Sequence, residues 1–118
     1  MKEKLKRLIW TIEDHIKDSH YDLKRSREEK EIKDDELSSF YIQQAKQRLE
    51  MANSCLNKMD NVLRNYESKE REKGKTSEIV EEKMEAWKCI RNMLENKINS
   101  EMKEIQEMRE KKWLSIIS

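Results

Sequence analysis

The side chains best suited to chemistry in this chain are two histidines, His15 and His20, and two cysteines, Cys55 and Cys89. The histidines are five residues apart, which places them about 140° apart around a helix, so that one metal ion cannot easily bind both. The cysteines are too distant in sequence for a Cys-x-x-Cys site, and neither has a neighbouring histidine to activate its thiol. We predict reduced cysteines packed as small buried residues, no metal ion, no cofactor and no enzymatic activity.

A further alternative function is that of a degenerate ferritin-like metal-binding bundle, although the sequence does not favour a di-iron site of this type. Such sites need Glu-x-x-His on two helices of a bundle. The closest match is residues 50–53, where Glu50 is followed by Asn53 in the position of the histidine, and asparagine is a poor iron ligand. His15 could form at most a weak surface site with the acidic residues around it.

Arginines and aromatic residues suggest an alternative function, an oligomeric sponge for a small charged ligand such as a cyclic nucleotide. Arginine forms paired hydrogen bonds with phosphate, and aromatic rings stack on bases. Surface charges and core aromatics are the more ordinary explanation of the same side chains. The candidate ligand-binding residues are Arg48, Arg64, Arg91, Trp10 and Tyr41.

The amino-acid composition indicates which secondary structure positions these residues. The 118 residues include one glycine and no proline, which leaves little for hairpin turns, phosphate loops or short strands. Ala, Glu, Lys, Leu and Arg make up about half of the chain, as in helical bundles and coiled coils. The 26 basic and 25 acidic residues are interleaved, and the net charge of +1 does not favour nucleic-acid binding.

Apolar residues recur in alternating steps of three and four, which predicts three long helices at about 3–30, 34–72 and 77–115. Asp34 or Asp35 can cap the start of the second helix, and Gly74 fits the left-handed position after its end. Ser19 occupies one core position of the first helix, and Trp10 widens its apolar stripe. We therefore predict an all-α fold: a single domain over residues 1–118, built as an antiparallel, coiled-coil-like bundle of three helices.

The apolar stripes are wider than one partner helix requires, which suggests that oligomerisation completes the bundle. The second and third helices extend beyond the first, and their joined ends need another partner. The last residues are also too apolar for a free end. We expect a homo-oligomer that also binds a protein partner, with a candidate interface of Val62, Tyr66, Val80, Trp87, Trp113, Leu114, Ile116 and Ile117.

Location is predicted from the absence of apolar segments. No apolar run approaches the roughly 20 residues that span a bilayer. The first residues form an amphipathic pattern rather than the continuous apolar stretch of a signal peptide. We predict a cytoplasmic protein that does not interact with a membrane.

Residues 12–19 of the first helix, together with Phe40, Tyr41 and residues 48–53 of the second, resemble small all-helical orphan proteins of phages and prophages of Gram-positive bacteria (Firmicutes). Some of these proteins look like degenerate ferritin-like bundles, and some have a histidine where this chain has Asn53. The resemblance implies a phage protein in the host cytoplasm. It also implies that the chain inhibits or sequesters a host factor, such as a defence factor.

Overall fold

The computed structural model describes the backbone of residues 2–74 and 77–117 and the side chains of residues 2–74 and 78–111. This part of the chain forms three α-helices and no strand: α1 (Lys2–Glu31), α2 (Asp35–Glu72) and α3 (Ser77–Ile117). The helices pack in an elongated bundle of 64 × 24 × 16 Å. The predicted all-α fold of three long antiparallel helices is confirmed, and each helix begins and ends within two residues of the predicted position.

The two turns between the helices place different residue types in the left-handed backbone conformation. Gly74 has a φ of +79° and its N–H donates to the carbonyl of Arg71, which ends α2 as predicted. Between α1 and α2 no glycine is present, and Lys33 adopts the left-handed conformation with a φ of +65°. Asp34 then caps α2, because its Oδ1 accepts a hydrogen bond of 3.0 Å from the N–H of Leu37.

The apolar residues of the three helices bury one another in two adjoining clusters. The cluster nearer the α2–α3 turn includes Leu5, Ile12, Leu56, Met59, Met84 and Leu94, and the cluster nearer the α1–α2 turn includes Leu23, Ile42, Leu49 and Ile105. Ser19 is fully buried at the core position that the periodicity assigned to it.

Trp10 does not belong to this core, although the sequence pattern placed it in the stripe of α1. Its exposed fraction is 69%. Trp10 precedes the buried Ile12 by two residues, which turns its side chain about 200° around the helix. Phe40, Met51 and Met93 are also more than half exposed, so apolar residues beside the main seams remain uncovered.

The three pairs of helices do not pack equally closely. α1 packs most closely against α2, α3 packs against α2, and the contacts between α1 and α3 are the sparsest. Ser26 pairs with Ser38, and Asp18 with Arg48, which fixes the register of α1 on α2 within one residue of the predicted one. None of the described helices is long and apolar enough to cross a membrane.

Candidate functional site

One end of the α2–α3 hairpin lies beyond the reach of α1. The pairing of Ser26 with Ser38 places Lys2, where α1 begins, level with about residue 62 of α2. α2 continues to Glu72, so roughly 15 Å of this helix and the facing start of α3 pack without a third helix. We call this region, containing Val62, Tyr66, Ile79 and Trp87, the uncovered hairpin end.

Two of its residues lie on the helix faces that α1 covers elsewhere. Tyr66 follows Arg48 by 18 residues, five full turns, and Arg48 pairs with Asp18 of α1. Ile79 precedes Glu101 by 22 residues, about six turns, and Glu101 contacts His20 of α1. Tyr66 and Ile79 therefore line the space into which α1 would extend if it were longer.

The structure divides the predicted interface residues into three groups. Val62, Tyr66 and Trp87 are half-buried against the core cluster. Val80 is only 1% exposed, because the packing of α2 on α3 already covers it, so it offers no surface to a partner. The side chains of Trp113, Leu114, Ile116 and Ile117 lie outside the described residues. Ile79, which the prediction omitted, is 47% exposed and belongs to the same end.

The predicted ligand residues do not converge on one site. Arg48 faces Asp18 and Asp22 across the α1–α2 seam, at 3.5 and 3.7 Å. Tyr41 lies on the same seam, under the guanidinium of Arg25, whose Cζ is 5.6 Å from the ring centroid.

The remaining three candidates lie elsewhere. Arg91 binds Asp60 and Glu95 on the α2–α3 seam, and the hydrogen bond with Asp60 is the main cause that raises the pKa of Arg91. Arg64 is exposed, and Trp10 is on the far side of α1. The five residues therefore lie on different surfaces, and three of them already interact with other side chains.

Asp22 is a buried carboxyl on the α1–α2 seam. Its exposed fraction is 6%, and its Oδ2 has no hydrogen-bond partner among the described residues. Burial raises the pKa of Asp22 from its ordinary value of 3.8, and the nearby Asp18 adds to this effect, whereas Arg48 opposes it. The carboxyl therefore lowers the stability of the folded state when it is charged.

The α1–α3 seam forms an open groove of about 650 Å³ lined by both helices. Glu13, Ile16, Lys17 and His20 line it from α1, and residues 96, 97, 100 and 101 line it from α3. His20 Nδ1 lies 3.2 Å from Glu101 Oε1.

Glu104 belongs to the same seam and forms an ion pair with Arg27 of α1. His20, Glu101 and Glu104 bring three potential metal-ligating side chains together. This cluster was not predicted from the sequence. Two carboxylates three residues apart on α3 were a visible signal, but the sequence did not indicate which residue of α1 faces them.

The cysteines and the ferritin-like motif are positioned as follows. Both cysteines are free; Cys55 is half-buried, whereas Cys89 is exposed, contrary to the prediction that it is a buried residue. Cys89 precedes the half-buried Ile90 by one residue and therefore points about 100° away from it.

Glu50 and Asn53, the residues of the ferritin-like motif, are exposed and do not point into the bundle.

Comparison with known proteins finds no matching family model, no matching curated protein and no matching solved structure. The predicted resemblance to phage proteins stays a prediction.

Proposed function

We propose that this chain is a non-catalytic helical interaction protein that self-associates through its uncovered hairpin end. The observation that carries the proposal is the position of Tyr66 and Ile79 on faces that α1 covers elsewhere in the bundle. Ile79 is 47% exposed there, and Trp87, about two turns further along α3, is half-buried. Burying this exposed apolar surface against another helix removes it from water, which stabilises the resulting assembly.

A second copy of the chain is the occupant that best fits this end. Two hairpin ends packed against each other place four helices side by side, which is a stable and common bundle geometry. Such a contact uses the same surface on both copies, as a twofold interface requires. The segment from Arg64 to Lys88 contains equal numbers of acidic and basic residues, so two copies can approach without strong net repulsion.

Substitution of Ile79 tests this proposal. Because Ile79 is exposed in the single chain, Ile79→Lys should leave the fold intact and place a charge in the contact between copies. The matched control is Ile32→Lys, since Ile32 is 72% exposed at the opposite end of the bundle. Sedimentation velocity should show a native dimer, a dimer for Ile32→Lys and a monomer for Ile79→Lys. A native monomer, or a dimer that survives Ile79→Lys, would contradict the proposal.

A separate surface on α2 supports binding of a protein partner. Phe40 and Met51 are eleven residues apart, which places them on one face of the helix, and each is 53% exposed. The flexible thioether of methionine suits a contact surface that adapts to another protein. Following the resemblance to phage proteins, we propose that this face sequesters a host factor, such as a defence factor, in the host cytoplasm.

Phage plating on a host with an active defence system tests this role. Expression of the native chain should increase plating efficiency, and Met51→Lys should abolish the increase. Met93→Lys is the matched control, because Met93 is 60% exposed on a different helix. No increase with the native chain on any defended host, or an unchanged increase with Met51→Lys, would contradict the role.

A further inference from the structure

Three side chains on the α1–α3 seam have the chemistry and the placement of metal ligands. His20 projects from α1, and Glu101 and Glu104 project from successive turns of α3. We propose that they form a binding site for a divalent transition-metal ion of the Zn²⁺ type. The site is separate from the uncovered hairpin end and does not depend on self-association.

The distances are close to those of a coordinated site. One potential ligand atom from each of the three residues lies within 4.8 Å of the other two. Metal–ligand bonds of about 2.0–2.2 Å place neighbouring ligand atoms about 3 to 4 Å apart. His20 Nδ1 and Glu101 Oε1 are already 3.2 Å apart. Because its potential ligand atom lies within the 4.8 Å limit, Glu104 has to approach by at most about 2 Å.

A buried, unpartnered oxygen provides a second observation. Glu101 Oε2 is inaccessible to water and has no hydrogen-bond partner among the described residues. The side chain as a whole is only 15% exposed. A desolvated carboxylate oxygen is costly unless a proton donor or a cation satisfies it. A metal ion that takes both oxygens of Glu101 as ligands, next to His20 Nδ1, supplies that cation to Oε2.

The surroundings also fit a metal ion. Arg27 pairs with Glu104 and can hold this carboxylate in place while its other oxygen binds the ion, as outer-shell partners commonly do. His20 is 63% exposed, which leaves room for water ligands on the open side. One imidazole with two carboxylates favours Zn²⁺ and related transition metals over Ca²⁺, which takes oxygen ligands only.

Calorimetric titration with zinc chloride tests the site in the 118-residue chain with its cysteines reduced. We expect saturable binding of one ion per chain. His20→Gln and Glu101→Gln should each weaken binding at least about tenfold, because even outer-shell partners are commonly worth 10- to 100-fold in affinity. His15→Gln, which removes the other histidine of the chain, and Glu107→Gln, which removes an exposed carboxylate of α3, should bind zinc as the native chain does.

Cobalt spectroscopy then distinguishes this site from the free thiols. Co²⁺ bound by His20, Glu101 and Glu104 should show visible d–d bands without the near-ultraviolet band that thiolate ligands produce. Circular dichroism of each variant should match that of the native chain. The proposal would be overturned if zinc binding were not saturable or if His20→Gln bound zinc with unchanged affinity. It would also be overturned by a cobalt–thiolate band that disappears when Cys55 or Cys89 is replaced by serine.

Discussion

Arg91 on α3 holds Asp60 on α2 through two parallel hydrogen bonds, from Nε to Oδ1 at 2.9 Å and from Nη2 to Oδ2 at 3.2 Å. The two side chains are 23% and 27% exposed, so water screens the pair only in part. This pair fixes the register of the α2–α3 hairpin. It also removes Arg91 from the set of free cations that could bind a phosphate ligand.

A double-mutant cycle on this pair should measure a favourable coupling. We expect Asp60→Ala and Arg91→Ala to be coupled by about 1 to 2 kcal/mol, between the values of exposed ion pairs and of hydrogen bonds to charged groups. The free energies of unfolding come from urea titration of the native chain, both single variants and the double variant. A coupling within about 0.5 kcal/mol of zero, the range of independent sites, would show that the pair does not stabilise the hairpin.

The two turns should respond oppositely to substitution. Gly74 has a positive φ, and none of the described atoms lies within 4 Å of the place where a Cβ would be, so Gly74→Ala should destabilise the chain by about 1 kcal/mol through backbone strain. Lys33→Gly should stabilise it by up to about 1 kcal/mol, because relief of strain at Lys33 exceeds the added entropy of the unfolded chain. Thermal unfolding of both variants checks the two signs. A loss of stability in Lys33→Gly would show that the left-handed residue is not strained.

Asp22 should make the chain less stable as the pH rises. Its raised pKa means that the folded state holds this proton more tightly than the unfolded state. The free energy of unfolding therefore falls as the pH rises from about the ordinary value of 3.8 through the raised pKa, and stays reduced above it. Asp22→Asn removes this loss, so the variant should be at least as stable as the native chain at neutral pH.

The pH series provides the control for Asp22. Below its ordinary pKa of 3.8 the carboxyl is protonated in both states, and the advantage of Asp22→Asn should disappear. Urea titrations of both proteins at several pH values measure the difference. A variant that is less stable at neutral pH and equal at low pH would mean that attraction by Arg48 outweighs the cost of burial.

Two buried serines of α1 should respond differently to replacement by alanine. The Oγ of Ser26 lies 2.9 Å from both the carbonyl and the hydroxyl oxygen of Ser38, so Ser26→Ala should cost about 1 to 2 kcal/mol. Ser19 is equally buried, but its Oγ has no partner among the described residues, so Ser19→Ala should be neutral or stabilising by up to about 1 kcal/mol. Equal losses in both variants by urea titration would contradict this distinction.

The sequence predicted the helices and their ends closely because those features are local. Apolar spacing of three and four residues defines the stripes, Gly74 marks the end of α2, and Asp34 was one of two possible caps. The register of α1 on α2 also followed, since a short turn between antiparallel helices leaves little freedom.

The side-chain surroundings could not be predicted in the same way, because they depend on how each helix rotates against its neighbours. Trp10 is part of the apolar pattern of α1, yet its side chain faces away from the bundle. Val80 is covered by α2, although it lies near the hairpin end. The meeting of His20 with Glu101 joins residues 81 positions apart across the sparsest seam. No periodicity within one helix encodes such a contact.

The mass of the native chain in solution tests the central claim of self-association most directly. Light scattering behind size-exclusion chromatography, over a range of loading concentrations, should give a mass that approaches twice the chain mass of 14.4 kDa. A mass of 14.4 kDa at every concentration would contradict the claim, because the uncovered hairpin end would then remain exposed in solution.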